Sequence, residues 1–123
     1  MQYSLSVSGD RRFVITTVHV NMTRELAKTI VADSQSLGRA HGLRCYLQDL
    51  TGSRNEESVF QAYSFAHEDM SLSHVDRGAV VAVLVQPEDH SHDFVELVCR
   101  NAGLNMRLFR DRESAERYLR SIE

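Results

Sequence analysis

The residues best equipped for chemistry fall in two short stretches. Asp89-His90-Ser91-His92-Asp93 sets two imidazoles and two carboxylates side by side, donor types that hold zinc and similar metals. His-x-His binds metal most readily from a strand, where both rings share a face. Here the phrase lies between a strand and a helix, where Asp and Ser are ordinary capping residues and His tolerates solvent. His67 and His74 flank the preceding helix, and nothing in their spacing brings them to this stretch. No metal or other cofactor is expected.

Asp49-Leu50-Thr51-Gly52-Ser53 is the second stretch. A hydroxyl at a helix N-terminus suits phosphorylation, because free N–H groups and the helix dipole favour an added dianion. Ser53-Arg54-Asn55-Glu56 also has capping-box spacing, which accounts for Ser53 as an N-cap and for Thr51 as a turn residue. Glu56 and Glu57 would repel a phosphate, so the capping reading of Ser53 is preferred over phosphorylation. His19 shares a strand face with Phe13, Ile15 and Thr17, and reads as a hydrogen-bonded structural residue. The chain has no Gly-x-Ser-x-Gly elbow, P-loop or dinucleotide fingerprint, and pairs no nucleophile with an evident base. No catalytic residue is assigned, and the expectation is a protein that is not an enzyme.

Regular elements must position these residues. Apolar and polar positions alternate from Tyr3 to Val7, and Arg12 to Val20 is rich in β-branched residues, with Gly9-Asp10 as the turn between them. Thr23 then caps a helix with the stripe Leu26, Ile30, Val31, Ser34 and Leu37, which Gly42 ends. Leu43 to Asp49 is a third strand. A second helix carries Val59, Phe60, Tyr63, Ala66 and Met70 inward, and its following loop brings Leu72 and Val75 over the core. Ala79 to Val85 is apolar throughout, the pattern of a strand covered on both faces. Ser91 to Ala102 forms a third helix with Phe94, Val95, Val98 and Ala102 inward, before Gly103. Met106 to Phe109 is a short strand, and Asp111 caps a last helix bearing Ala115, Tyr118, Leu119 and Ile122.

The fold class is therefore α/β. An N-terminal antiparallel hairpin is followed by βα repeats, giving a mostly parallel five-stranded sheet with four helices in one domain, residues 1–123. Ligands of open α/β sheets usually bind beyond the carboxyl ends of the strands. That rim collects Asp49, Thr51, Ser53, His90 and His92, the candidate ligand or partner residues.

Composition narrows the partners. With 17 acidic against 14 basic residues the net charge is −3, a poor match to a phosphate backbone, so no nucleic acid is expected. Arg100, Arg107, Arg110, Arg112, Arg117 and Arg120 alternate with Asp111, Glu113 and Glu116, which reads as helix-surface ion pairing. Cys45 and Cys99 sit in apolar stretches as reduced core residues. The Met-Gln-Tyr-Ser start lacks a secretion-signal layout, and the longest apolar run is too short to span a bilayer. A cytoplasmic protein without membrane insertion is expected.

The element order resembles the SpoIIAA-like superfamily, which includes the STAS domains of anti-sigma-factor antagonists and is related in fold to CRAL–TRIO lipid-transfer domains. The likeness runs through the opening hairpin, the strand ending Gln48-Asp49-Leu50-Thr51-Gly52 and the strand Ala79–Val85. It is strongest in the close, where Met106-Arg107-Leu108-Phe109-Arg110-Asp111 leads into Ser114-Ala115-Glu116-Arg117-Tyr118-Leu119. The resemblance implies a regulatory or protein-interaction module, with a homodimer as one form. Its second implication is a small-molecule or lipid-binding domain, with Phe60, Phe65, Met70 and Leu72 able to line a pocket. Phosphoswitch members carry Asp-Ser-Ser/Thr-Gly where the helix after the third strand begins. This chain reads Arg54-Asn55-Glu56-Glu57-Ser58 there and lacks the acceptor pair.

Overall fold

Residues Tyr3–Val7 (β1) and Val14–Val18 (β2) pair antiparallel, and the chain then winds forward one strand at a time. The computed structural model describes Met1 to Ile122, so Glu123, the last position of the expected span, lies outside the described residues. After the ribbon come α1 (Arg24–His41), β3 (Cys45–Asp49), α2 (Val59–His67), β4 (Val80–Leu84), α3 (Asp93–Asn101), β5 (Asn105–Phe109) and α4 (Arg112–Arg120). The sheet order is β1-β2-β3-β4-β5, with every pair after the first parallel. A single 3₁₀ turn at Asp69–Ser71 interrupts the loop after α2. The expected architecture is the observed one.

Cap chemistry sets most helix ends. Thr23 Oγ1 accepts from the Leu26 N–H at 3.2 Å, and Asp111 accepts from the Ser114 N–H at 2.9 Å. Gly42 takes φ 67°, the left-handed conformation that ends α1 where a side chain would be strained. The expected Ser53 cap is not formed. Ser58 caps α2, accepting from the Gln61 N–H at 3.2 Å. Residues 54–56 instead run beside Met22: Met22 N–H donates to the Arg54 carbonyl, and Glu56 N–H to the Met22 carbonyl. With those backbone groups committed to a distant strand-like contact, no helix can start at Ser53.

Helices α1, α2 and α3 cover one face of the sheet and α4 the other. On the α4 side Phe13, Leu47, Ala82 and Leu84 meet Ala115 and Leu119, all buried. Opposite, Val18, Leu50, Val83 and Val85 pack beneath Leu26 and Ile30 of α1. Each fully buried Leu or Val side chain stabilises the fold by about 1.5–3 kcal/mol. Strand β4 is hydrogen-bonded on both sides and covered on both faces, as its continuous apolar run requires. Gly38 leaves room for the Tyr46 ring beneath α1: a Cβ there would collide with the Tyr46 hydroxyl and stand 2.9 Å from the Leu43 carbonyl oxygen.

Two helix faces differ from expectation. On α2 the buried residues are Ala62, Ser64 and Ala66, while Val59, Phe60 and Tyr63 are each more than half exposed. On α3 Val98 and Cys99 are buried, Val95 is half-buried and Phe94 is 39% exposed. The cause is a close α2–α3 seam, where Ala66 lies against Val98 and Cys99 and large side chains are displaced outward. Leu72 is likewise exposed, whereas Met70 is buried and Val75 half-buried. The C-terminal arginines do form surface pairs, Arg112–Glu116, Arg117–Glu113 and Arg120–Glu116.

Candidate functional site

The carboxyl ends of β3, β4 and β5 bring the five candidate residues to one edge, then divide them. Asp49, the last residue of β3, folds back on its own turn: its Oδ1 accepts from the Thr51 N–H at 3.0 Å and the Thr51 hydroxyl at 2.7 Å. Its Oδ2 meets Arg112 at 3.4 Å. Gln86, beyond β4, donates to the Thr51 carbonyl at 3.1 Å. Asp49 and Thr51 thus form a tied turn.

Ser53 and His92 meet in the interior. His92 Nε2 lies 2.9 Å from the Ser53 carbonyl oxygen and 3.6 Å from Asp89 Oδ2. Both neighbours are acceptors, so this nitrogen carries the hydrogen. Asp89 is buried, and burial works against its charge. The Ser91 hydroxyl and N–H, with His92 and Arg54 nearby, nevertheless hold its carboxyl below the usual aspartate range. Ser91 also accepts from the Asn55 N–H at 2.9 Å, which fastens residues 53–57 to the β4–α3 loop.

Ser53, His92 and Asp89 are the three types of a hydrolytic triad, but their geometry is different. A general base needs one ring nitrogen for the nucleophile and the other for its orienting acid. Here the Ser53 carbonyl and Asp89 approach the same nitrogen. The Ser53 hydroxyl is buried without a hydrogen-bond partner among the described residues. The three act as a structural clasp.

His90 takes no part in it. Its exposed ring lies 2.8 Å from Asp93, and Arg110 reaches both residues from the end of β5. The hydrogen bond to His90, with Arg110, keeps the Asp93 carboxyl below its ordinary value. The two imidazoles therefore diverge, and no group of three or more His, Cys, Asp or Glu side chains among the described residues is placed to hold a metal. His67 stacks on Tyr63, its ring centroid 4.1 Å away. Asp89, Arg54 and Arg110 belong to the rim as firmly as the five expected residues. Charge pairing across loops is not visible from spacing.

A second feature lies beneath the helices. An apolar chamber of about 110 Å³ separates the sheet from α1, α2 and α3, with Gln48, Val81 and Met106 on its floor. Ile30 and Val31 of α1, Phe65 of α2, and Val95 and Cys99 of α3 form its roof and sides. Of the residues expected to line a pocket, Phe65 and Met70 line this chamber, Leu72 lines a separate open hollow between α1 and the loop after α2, and Phe60 is exposed to solvent. Burial pushes the Cys99 thiol up to about 12.

Compared with known proteins, the chain matches no family model and no curated protein. No helix among the described residues is long and apolar enough to cross a membrane.

Proposed function

We propose that the chain is a non-enzymatic protein-interaction module of SpoIIAA-like kind, and that its docking surface is the α2–α3 seam. The forward-wound sheet behind an antiparallel ribbon supports the family reading. The mutual pairing of the rim residues supports a role other than catalysis.

The carrying observation is an apolar strip. Ala66 packs on Val98 at the seam. By helical rotation Val59 and Tyr63 flank Ala66 on its outer side, and Phe94 and Leu97 flank Val98. With Phe60 these side chains form one surface, all but Phe94 more than half exposed. Large aromatic side chains carry 150–250 Å² each, so the strip presents roughly 500 Å². A patch of that size matches the largest one a single chain commonly exposes, which is often a functional surface.

The occupant is a second copy of this chain. Two strips laid together bury roughly 1,000 Å² before flanking polar residues are counted, which approaches the ~1,200 Å² at which stable interfaces begin. Sedimentation velocity across about 1 µM to 1 mM should show a monomer–dimer equilibrium. Phe60→Lys and Leu97→Lys should each hold the protein monomeric with its circular dichroism unchanged. A wild-type chain monomeric throughout, or a dimer indifferent to both substitutions, would overturn the assignment.

A further inference from the structure

The covered sheet face is largely apolar, broken by Thr16 and Gln48 side by side. Gln48 of β3 lies in register between Thr16 of β2 and Val83 of β4, and its side chain lines the chamber. The other polar residues in the wall have partners. Gln35 exchanges hydrogen bonds with the Asp76 backbone at 2.8 and 3.3 Å. Asn55 is held by Ser91 and Glu57, Arg77 by the Met70 and Ala102 carbonyls, and His92 by Ser53. The Gln48 carboxamide is left to face the chamber. Beside it the Thr16 hydroxyl is buried without a partner among the described residues.

Gln48 is half-buried, and its carboxamide is open to the chamber. A donor and an acceptor facing an otherwise apolar space offer hydrogen bonds to an occupant. We propose that the chamber is a binding site for a small neutral molecule, with a single ring or branched aliphatic body and one hydroxyl or carbonyl group that hydrogen-bonds Gln48. Size sets the class. Apolar cavities of about 150 Å³ take up benzene and xenon, and this chamber of about 110 Å³ is of that order. A long acyl chain would extend well beyond it. A neutral polar group suits the wall best, because Asp76 is paired to Arg44 and the Arg77 guanidinium is already engaged by the Met70 and Ala102 carbonyls. The site is separate from the α2–α3 strip, and the two proposals stand or fall independently.

Benzene and phenol are matched probes, differing by one hydroxyl. Titrated into the isotope-labelled full chain, both should shift the methyl resonances of Ile30, Val81 and Met106. Phenol should bind about three- to tenfold more tightly, the usual return on one hydrogen bond. Gln48→Leu should abolish that preference while leaving benzene binding intact. Val81→Phe, filling the chamber from its floor, should remove both ligands. If that variant does not fold, Val95→Phe fills it from the opposite wall. Absence of shifts at millimolar probe, shifts confined to the exposed strip, or an unchanged phenol preference in Gln48→Leu would each overturn the assignment.

Discussion

The rim at the strand ends and the chamber beneath the helices are opposites in the same small molecule. The rim is rich in polar groups, and nearly every one faces a partner: Asp49 its own turn, Asp89 Ser91 and Arg54, Asp93 His90 and Arg110. The chamber is apolar and holds a carboxamide facing its space. Reactive residue types that satisfy one another leave little to offer a ligand, whereas a carboxamide open to an apolar space leaves its hydrogen bonds available. Topology explains the contrast. Ligand crevices at the carboxyl edge arise where strand order reverses and neighbouring loops part. This sheet advances in one direction from β1 to β5, so its loops close on one another.

The contrast can be broken most forcefully in the core that both regions share. Leu119→Ala should destabilise the fold by about 2–5 kcal/mol in urea unfolding, by opening a cavity where α4 meets β3 and β4. A loss below 1 kcal/mol would mean that α4 is not anchored there. Asp69→Asn comes next. Asp69 makes two bonds to Arg24, at 2.7 and 3.0 Å, and ties the loop after α2 to the start of α1. Its loss should cost about 1.5–3 kcal/mol, and a neutral result would show the pair to be dispensable.

Acid should act on the same carboxylates. Arg24 lowers the Asp69 pKa despite partial burial, and the Asp89 pKa is also lowered, with burial opposed by Ser91, His92 and Arg54. Groups with depressed folded-state values contribute stability that is complete above their unfolded pKa, about 3.9, and lost as pH falls through the folded value. Urea midpoints should therefore hold from pH 7 to about 5 and fall below about pH 4. A midpoint already dropping near pH 6 would assign the sensitivity to histidine. Smallest of all, Ser53→Ala and His90→Ala should each stay within about 0.5 kcal/mol of wild type. A larger loss at His90 would make the exposed rim a structural element after all.

Much of the architecture was legible because it depends on local rules. Alternation marked β1, the unbroken apolar run marked β4, and Thr23, Gly42 and Asp111 marked helix ends through bonds made within a few residues. The rim was legible as a location, since βα order places those loops together. What failed depended on distant partners. Ser53 has cap chemistry, but the backbone after it is engaged by Met22, more than thirty positions earlier. Phe60 and Tyr63 have core chemistry, but alanines make the helix contact. Gln48 was silent for a related reason. Nothing within the strand marks it, because its surroundings are set by three helices from elsewhere in the chain.

The tight approach of α1 to β3 carries an evolutionary consequence. Residue 38 has no room for a methyl group because the end of a tyrosine ring occupies the space and the Leu43 carbonyl oxygen closes it from the side. Related chains that place alanine at 38 should therefore have given up the phenol at 46, while those that keep it should retain glycine. The two positions form a single unit of inheritance, eight residues apart, written once as bulk and once as its absence.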